Sequence, residues 1–528
     1  MKICPKCGAQ NADADFFCNQ CGENLAAGQA APAAVEPVVP VVPAAPADDA
    51  ADVVPVVPVT PADDEAAPVT PAQATPRQPL EFGAVLAFVK AKAKWFIGGA
   101  AAIILIIILA CVFSPKPYAA LKHSVSVLTV DGDTQVVFDN KKPVKIDGKI
   151  SAQYVPDRTA VVYTNEDDEM FYLKKGGKPK SVAKDVDGFM LSENGKRILY
   201  QSDDTVYAVD TGKTKGKSIG SDIRPSAISP DGKALIYVKD DELYLNTGKE
   251  KKLDLDAAEV TIDAVSNKGR LIYYTKDSKL YVMKPGKDAV TLGSGASSVE
   301  YNRDKTQLLY KEDGDTYLSV NGKEGVKVLN KSASGVLTPS RTIGQPKSLK
   351  NALVYADGSI YRLGKNSDAS VRISRVSSYL LSQDGKTLIF SNNSNIYRAT
   401  NLKKESDSEP LNRGDEKEVY RTAFGRDGKK VYYVTEDGDL MYVKGKSKPK
   451  KVTSDVSSIY MGFDNATCFM VKDGELYASK NGGKANKVKG LNDEVSSVSV
   501  TANSVIVQTE DAYYRCTGGS KFTKLFDK

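Results

Sequence analysis

A mainly β chain carried behind a single membrane-spanning segment is what the 528-residue sequence predicts, and three observations predict it. Two C-x-x-C pairs stand near the N-terminus. A nineteen-residue run from Trp95 to Phe113 holds no charge. Beyond Tyr118 the chain repeats aromatic and β-branched phrases about every 37 residues. The implied order is an N-terminal cysteine module (1–25), a disordered Pro/Ala/Val-rich linker (26–80), a juxtamembrane segment (81–94), a transmembrane helix (95–113) and a repeat domain (118–528).

Cys4 and Cys7, then Cys18 and Cys21, supply two thiolate pairs at the spacing of a tetrahedral zinc site. Gly8 and Gly22 follow each pair and let the backbone turn tightly. Four thiolates fill the coordination sphere, so the expected Zn2+ is structural, with no open position for water or substrate. Two disulfides are the alternative, but a chain this sparing with cysteine shows no disulfide framework. On Cys4, Pro5, Cys7, Gly8, Phe17, Cys18, Cys21, Gly22 and Leu25, the stretch Met1 to Leu25 resembles the short zinc-ribbon at the N-terminus of many bacterial membrane proteins. The resemblance covers under a twentieth of the chain and implies a metal-bound, reduced module. Lys2 and Lys6 against Asp13, Asp15 and Glu23 give it no electrostatic footprint for nucleic acid, so none is expected as a partner.

From Ala26 to Pro79 the chain holds 12 of its 25 prolines and only Arg77 as a basic residue. Such spacing favours extended polyproline II at ~3.1 Å per residue, a reach of up to ~150 Å. The P-x-x-P units lack nearby arginines, which favours a plain spacer over a docking motif.

Trp95 to Phe113 as a helix spans ~28 Å, enough for the hydrocarbon core of a bilayer. Few soluble cores accept a helix so uniformly apolar. Ninety residues upstream and no small-residue cleavage site argue against a signal peptide. Lys90, Lys92 and Lys94 before the run, against Lys116 and Lys122 after it, place the N-terminus in the cytoplasm and the repeat domain outside. Trp95 suits an interfacial anchor, and Cys111 reads as a membrane-embedded thiol. Gly98 and Ala102 form a small-x-x-x-small pair that would admit a homodimer.

The clearest repeats are S-E-N-G-K-R-I-L-Y (from Ser192), S-P-D-G-K-A-L-I-Y (from Ser229), S-N-K-G-R-L-I-Y-Y (from Ser266) and S-Q-D-G-K-T-L-I-F (from Ser382), each followed by a second aromatic strand. That second aromatic marks ten units, at Tyr172, Tyr207, Tyr244, Tyr281, Tyr317, Tyr361, Tyr397, Tyr442, Tyr477 and Tyr514. Each unit reads as a hairpin with room for one or two further strands, which is the pattern of propeller blades. Roughly eight to ten blades are expected, or two smaller propellers; a chain of β-sandwiches and a solenoid are the competing architectures. Through Ser229, Pro230, Asp231, Gly232, Lys233, Ile236 and Tyr237 the phrase resembles the WD40-like repeat of TolB-type propellers, over about four hundred residues. Asp313-Gly314-Asp315 and Asp437-Gly438-Asp439 fall where strands must reverse, so they read as hairpin turns rather than calcium loops. Cys468 and Cys516 fall in neighbouring units, as a disulfide or as buried thiols.

One histidine, His123, removes serine and cysteine hydrolases and most proton shuttles from the candidates. Just past the apolar run, it reads as an ordinary stalk residue. Up to Lys94 there are 6 basic and 11 acidic residues, leaving 66 and 55 beyond, so the outer portion is net +11 and suited to anionic polymers or headgroups. The function expected is non-enzymatic: a cell-envelope sensor or assembly adaptor, its ribbon docking a cytosolic protein and its propeller a protein, peptide or glycan. A carboxylate-based lyase or glycoside hydrolase is the alternative, and a propeller serving only as a spacer is a third reading.

Overall fold

The computed structural model describes residues 118–528 apart from 340–341, 365–370, 393–394, 401, 403–407 and 413–416, together with Lys2–Ile3 and Gln10–Asn11. The four predicted zinc ligands, the linker and the Trp95 to Phe113 run lie outside the described residues. The N-terminal pieces form a two-stranded antiparallel ladder, Lys2 facing Asn11 and Ile3 facing Gln10. That ladder brackets the first C-x-x-C pair in the sequence. Among the described residues no helix is long and apolar enough to cross a membrane.

Residues 125–527 fold into eleven small antiparallel sheets taken in chain order. They are blades of a β-propeller. Ten have four strands, named A to D in chain order, at 151–183, 186–221, 224–256, 260–294, 297–329, 335–373, 378–410, 419–453, 458–487 and 495–527; these are blades 2 to 11. Blade 1, at 125–146, has three. Strand A is innermost, and the A strands of neighbouring blades abut, as Arg224–Ile228 does Val260–Val265.

The repeated phrase is explained by the A–B connection. Its serine is buried and its hydroxyl accepts the amide at the start of strand B: Arg197 to Ser192 (3.0 Å), Ala234 to Ser229 (2.9 Å), Leu271 to Ser266 (2.8 Å) and Thr387 to Ser382 (2.9 Å). Two places on, Asp231, Asp384 and, in the first unit, Asn194 accept the following lysine amide, as Asp384 does from Lys386 (3.0 Å). Such local bonds hold the chain in a turn against strand pairing. The glycine supplies a positive φ, +69° at Gly232, where an added Cβ would lie 2.4 Å from the Cβ of Arg197. We expect Gly232→Ala to lower stability by about 1–3 kcal/mol, read from the chemical unfolding midpoint.

The B–C hairpins use pairs of positive φ angles, for example 47° and 55° at Asp203 and Asp204 and 48° and 83° at Asp313 and Gly314. These suit two-residue turns whose twist matches the strands. In six of the ten four-stranded blades the marker faces a second aromatic across that hairpin, and Tyr200 with Tyr207, Tyr274 with Tyr281 and Phe390 with Tyr397 stack at 5.1, 5.1 and 5.2 Å; in the other four it faces Val162, Val354, Met470 or Val507.

Apolar clusters join each blade to the next, and the last to the first: Val130 of blade 1 packs with Ile506 and Tyr513 of blade 11. The series therefore closes as one ring of eleven, which corrects both the count of eight to ten and the option of two smaller propellers. Blade 1 escapes the sequence pattern because it lacks strand A and carries Gln135 where the other units carry the marker aromatic.

Closure uses side chains rather than a shared strand. Asp139 is buried at the end of the third strand position of blade 1, its carboxylate accepting from the Ser124 amide (2.7 Å), His123 Nδ1 (2.9 Å), Lys175 Nζ and Asn503 Nδ2 of blade 11. Ser124 Oγ donates to Asn503 Oδ1 (2.6 Å), and Arg515 of blade 11 donates to the carbonyls of Asp139 (3.0 Å) and Lys141 (2.6 Å). His123 is thus part of the seam, not the ordinary stalk residue expected. Its neighbours on the N-terminal side form a strap: Ala119–Ala120 pair with Thr342–Ile343 in the A–B connection of blade 7, and Tyr118 Oη donates to the Leu337 carbonyl (2.9 Å). From there the chain crosses to blade 1.

Candidate functional site in the channel wall of blades 8 and 9

Most inner strands present small or polar residues, such as Ser297 and Ser298 in blade 6 and Ser496, Ser497 and Ser499 in blade 11. Blades 8 and 9 depart from this. Their A strands, Ser378–Leu381 and Val419–Phe424, expose Tyr379 (39%), Leu380 (37%) and Tyr420 (75%), three of the four large hydrophobic side chains most open to solvent among the described residues. Exposed apolar groups gathered on one wall mark binding surfaces more often than scattered ones do.

Between the two blades is a hollow of about 210 Å³ lined by Ser378, Tyr379, Leu380, Ile389, Phe390, Ile396 and Thr422 among others. Its walls are fixed by their neighbours. Tyr379 leans on Tyr355 at 5.6 Å between ring centres, and Ser378 and Ser391 share a hydroxyl hydrogen bond of 2.7 Å. Ile389 and Ile396 belong to the core between blades 8 and 9. Arg421 places its guanidinium 5.8 Å from the Tyr420 ring centre, adding a cation beside the aromatic edge. Burial raises the Tyr379 hydroxyl above its ordinary value, so it is a neutral donor.

At the A–B end of the same wall, Gln383 follows strand A of blade 8 and Arg426 that of blade 9, joined by the Gln383 amide to the Arg426 carbonyl (2.8 Å). Gln383 Nε2 and Arg426 Nε are buried without a hydrogen-bond partner among the described residues, while Arg426 Nη2 donates to the Ala502 carbonyl (2.9 Å). The wall therefore ends on two donors. A larger groove of about 470 Å³ lies at the seam beside Lys142, Pro143, Arg515 and Phe526, but Arg515 is already committed to closing the ring.

Acidic groups reach the inner strands elsewhere: Asp187 in blade 3, Asp263 in blade 5 and Glu300 in blade 6. Asp263 is open to solvent yet crowded by protein, and this desolvation raises its carboxyl despite the Thr275 hydroxyl donated at 2.8 Å. Among the described residues no group of three or more His, Cys, Asp or Glu side chains is placed to hold a metal ion. The acidic hairpins behave as turns: Asp437 and Asp439 pair with Lys417, and Asp439 also with Lys451 (2.8 Å). Cys468 and Cys516 do sit in neighbouring blades, 10 and 11, but both are free, buried thiols in separate apolar clusters. Burial pushes the Cys468 thiol up, which makes it inert.

Sequence reasoning missed the wall residues Tyr379, Leu380, Tyr420 and Arg421. Aromatic and aliphatic residues are ordinary in strands, and only their position on the innermost strand leaves them exposed.

No family model and no curated protein matches the chain. Solved structures similar to it include PorZ, a bacterial surface component of the type-IX secretion system of Porphyromonas gingivalis (TM-score 0.27, 10% identity, 77% of this chain and 74% of that one). Others are the dihydro-heme d1 dehydrogenase NirN (0.30, 14%, 63% and 72%) and a eukaryotic initiation factor (0.37, 9%, 77% and 97%). At these scores they carry no argument about the site.

Proposed function

We propose that the chain is a single-pass membrane protein acting as a binding and assembly adaptor of the cell envelope, without catalytic activity. Its N-terminal Cys4 zinc-ribbon, with Cys4, Cys7, Cys18 and Cys21 as ligands, engages a cytosolic protein, and its extracytoplasmic propeller engages an external one.

The observation that carries the propeller half is the hollow between blades 8 and 9. Sites for whole small molecules run to about 300–1,000 Å³, whereas this one is about 210 Å³ and flanked by exposed Tyr379, Leu380 and Tyr420. That volume suits one or two apolar side chains of a protein or peptide, gripped by aromatic neighbours in the manner of an interface anchor. Arg421 and the serine hydroxyls would then satisfy the peptide backbone around it.

The test is a pull-down from cross-linked native membranes with the full chain. The pair Leu380→Ala and Tyr420→Ala is expected to lose an external partner at least tenfold while keeping a cytosolic one, and Cys4→Ser with Cys7→Ser to do the reverse, since a lost anchor costs about 2 kcal/mol or more. Absence of partners on both sides would overturn the adaptor reading.

One observation favours the enzymatic alternative, a lyase or glycoside hydrolase working through carboxylates: the raised carboxyl of Asp263 on the inner strand of blade 5 suits a proton donor. Turnover of envelope polysaccharide that disappears in Asp263→Asn would select it over the adaptor.

A further inference from the structure

Strand alternation sends the A–B and C–D connections of every blade to one end of the propeller and the B–C and D–A connections to the other. Hydrogen bonds between connections follow the sorting, with the long D–A connection before blade 11 an exception at Lys489, which accepts from the Phe522 amide of a C–D connection (2.8 Å). Arg398 on strand C of blade 8 donates to the Gly428 carbonyl (3.0 Å) in an A–B connection and to the Gly445 carbonyl in a C–D one. At the opposite end, D–A residues bond to B–C turns, as Val376 N does to Gly358 O (2.8 Å) and Gly295 N to Ser278 O (2.8 Å).

The two ends are charged oppositely. The described B–C turns hold eighteen acidic residues and no basic one, and the described C–D connections hold fourteen lysines against three acidic residues. The A–B connections add twelve basic and seven acidic residues, and the D–A connections six and eight. Turn geometry does not demand this. A two-residue hairpin accepts Asn or Gly as readily as Asp, yet Asp takes the first place in blades 1, 3, 4, 5, 6, 7 and 10. Lysine in the C–D connections meets no backbone requirement at all.

The strap shows at which end the described chain enters the propeller. Tyr118 to Ala120 lie on the A–B connection of blade 7, so the polypeptide arrives at the basic end. Only four residues, Ser114 to Pro117, separate Tyr118 from the apolar run ending at Phe113, a reach of about 17 Å when extended.

We propose that the A–B/C–D end of the propeller lies against an anionic lipid surface, held there by its lysines, with the acidic B–C end turned away. The proposal rests on the membrane reading above. Strands of five or six residues separate the ends by about 20 Å, some two Debye lengths at 0.1 M salt, so the lipid charge attracts one end without repelling the other. The Tyr379 and Tyr420 end of the channel wall, near the starts of their A strands, then opens on the far side, towards external partners.

The test reconstitutes the full chain in vesicles of phosphatidylcholine with or without 30% phosphatidylglycerol, carrying a lipid-borne quencher. A fluorophore is placed at Lys448→Cys in the C–D connection of blade 9 or at Glu436→Cys in its B–C turn, both exposed positions. The expected result is several-fold stronger quenching at 448 than at 436 in the anionic vesicles, falling towards the 436 level in 0.5 M salt or in phosphatidylcholine alone. Equal quenching at the two sites would overturn the proposal. So would quenching at 448 that ignores phosphatidylglycerol, or protection of 448 only on adding soluble polyglycerol phosphate, which would make a polymer the ligand. A chain that an alkaline wash strips from the vesicles would instead refute the membrane reading itself.

Discussion

Asp139→Ala is expected to open the propeller at its seam and to lower stability by about 3–5 kcal/mol, because it leaves Lys175 and several donors facing an empty site. Burial alone would raise this carboxyl, but hydrogen bonds from Lys175, Asn503, the Ser124 amide and His123 outweigh it and hold the group well below the usual carboxylate range. The sign follows. A depressed native value gives stability that is fully present above the unfolded value of about 4 and is lost as pH falls below it. Thermal unfolding of the wild type should therefore weaken below about pH 4, and the gap between wild type and Asp139→Ala should be widest at neutral pH and narrow in acid. A constant gap across that range would show that the carboxylate charge is not what closes the ring. His123→Ala, which removes one of several partners, should cost far less.

The second large effect concerns metal. Chelation of the full chain is expected to release one Zn2+ per molecule and to unfold residues 1–25, because structural zinc in small cysteine modules contributes about 10–16 kcal/mol of apparent binding energy that is also folding energy. The propeller transition should not move, since among its described residues no cluster is placed to hold a metal. Metal analysis of Cys4→Ser with Cys7→Ser, beside calorimetry of both proteins, checks the two halves separately. Zinc retained by that variant would remove the ribbon from the proposal.

Much of the fold is written locally. A buried serine and a glycine at positive φ make one turn in the clearest units, and a tyrosine recurs on strand C of ten blades, so ten blades announce themselves in the sequence. Blade 1 does not, because Gln135 stands where the other ten carry the marker tyrosine, and because its innermost strand is missing. The seam was illegible for a different reason: Asp139 and Asn503 are 364 residues apart, and no short-range pattern connects them. His123 showed the same limit, since its significance lies entirely in a partner it meets only after the ring closes. The wall of blades 8 and 9 was hidden by chemistry that looks like any strand.

Because every blade is drawn from one stretch of chain, and the ring shuts through side chains rather than a shared strand, a whole unit of about 37 residues can be copied or removed without tearing any other blade. Circumference is then a quantity that gene duplication changes in integer steps. The residues around Asp139 and Asn503, and the Ala119–Ala120 strap on blade 7, must then find their partners again at the new diameter, so seam and strap together set which circumferences the chain can close.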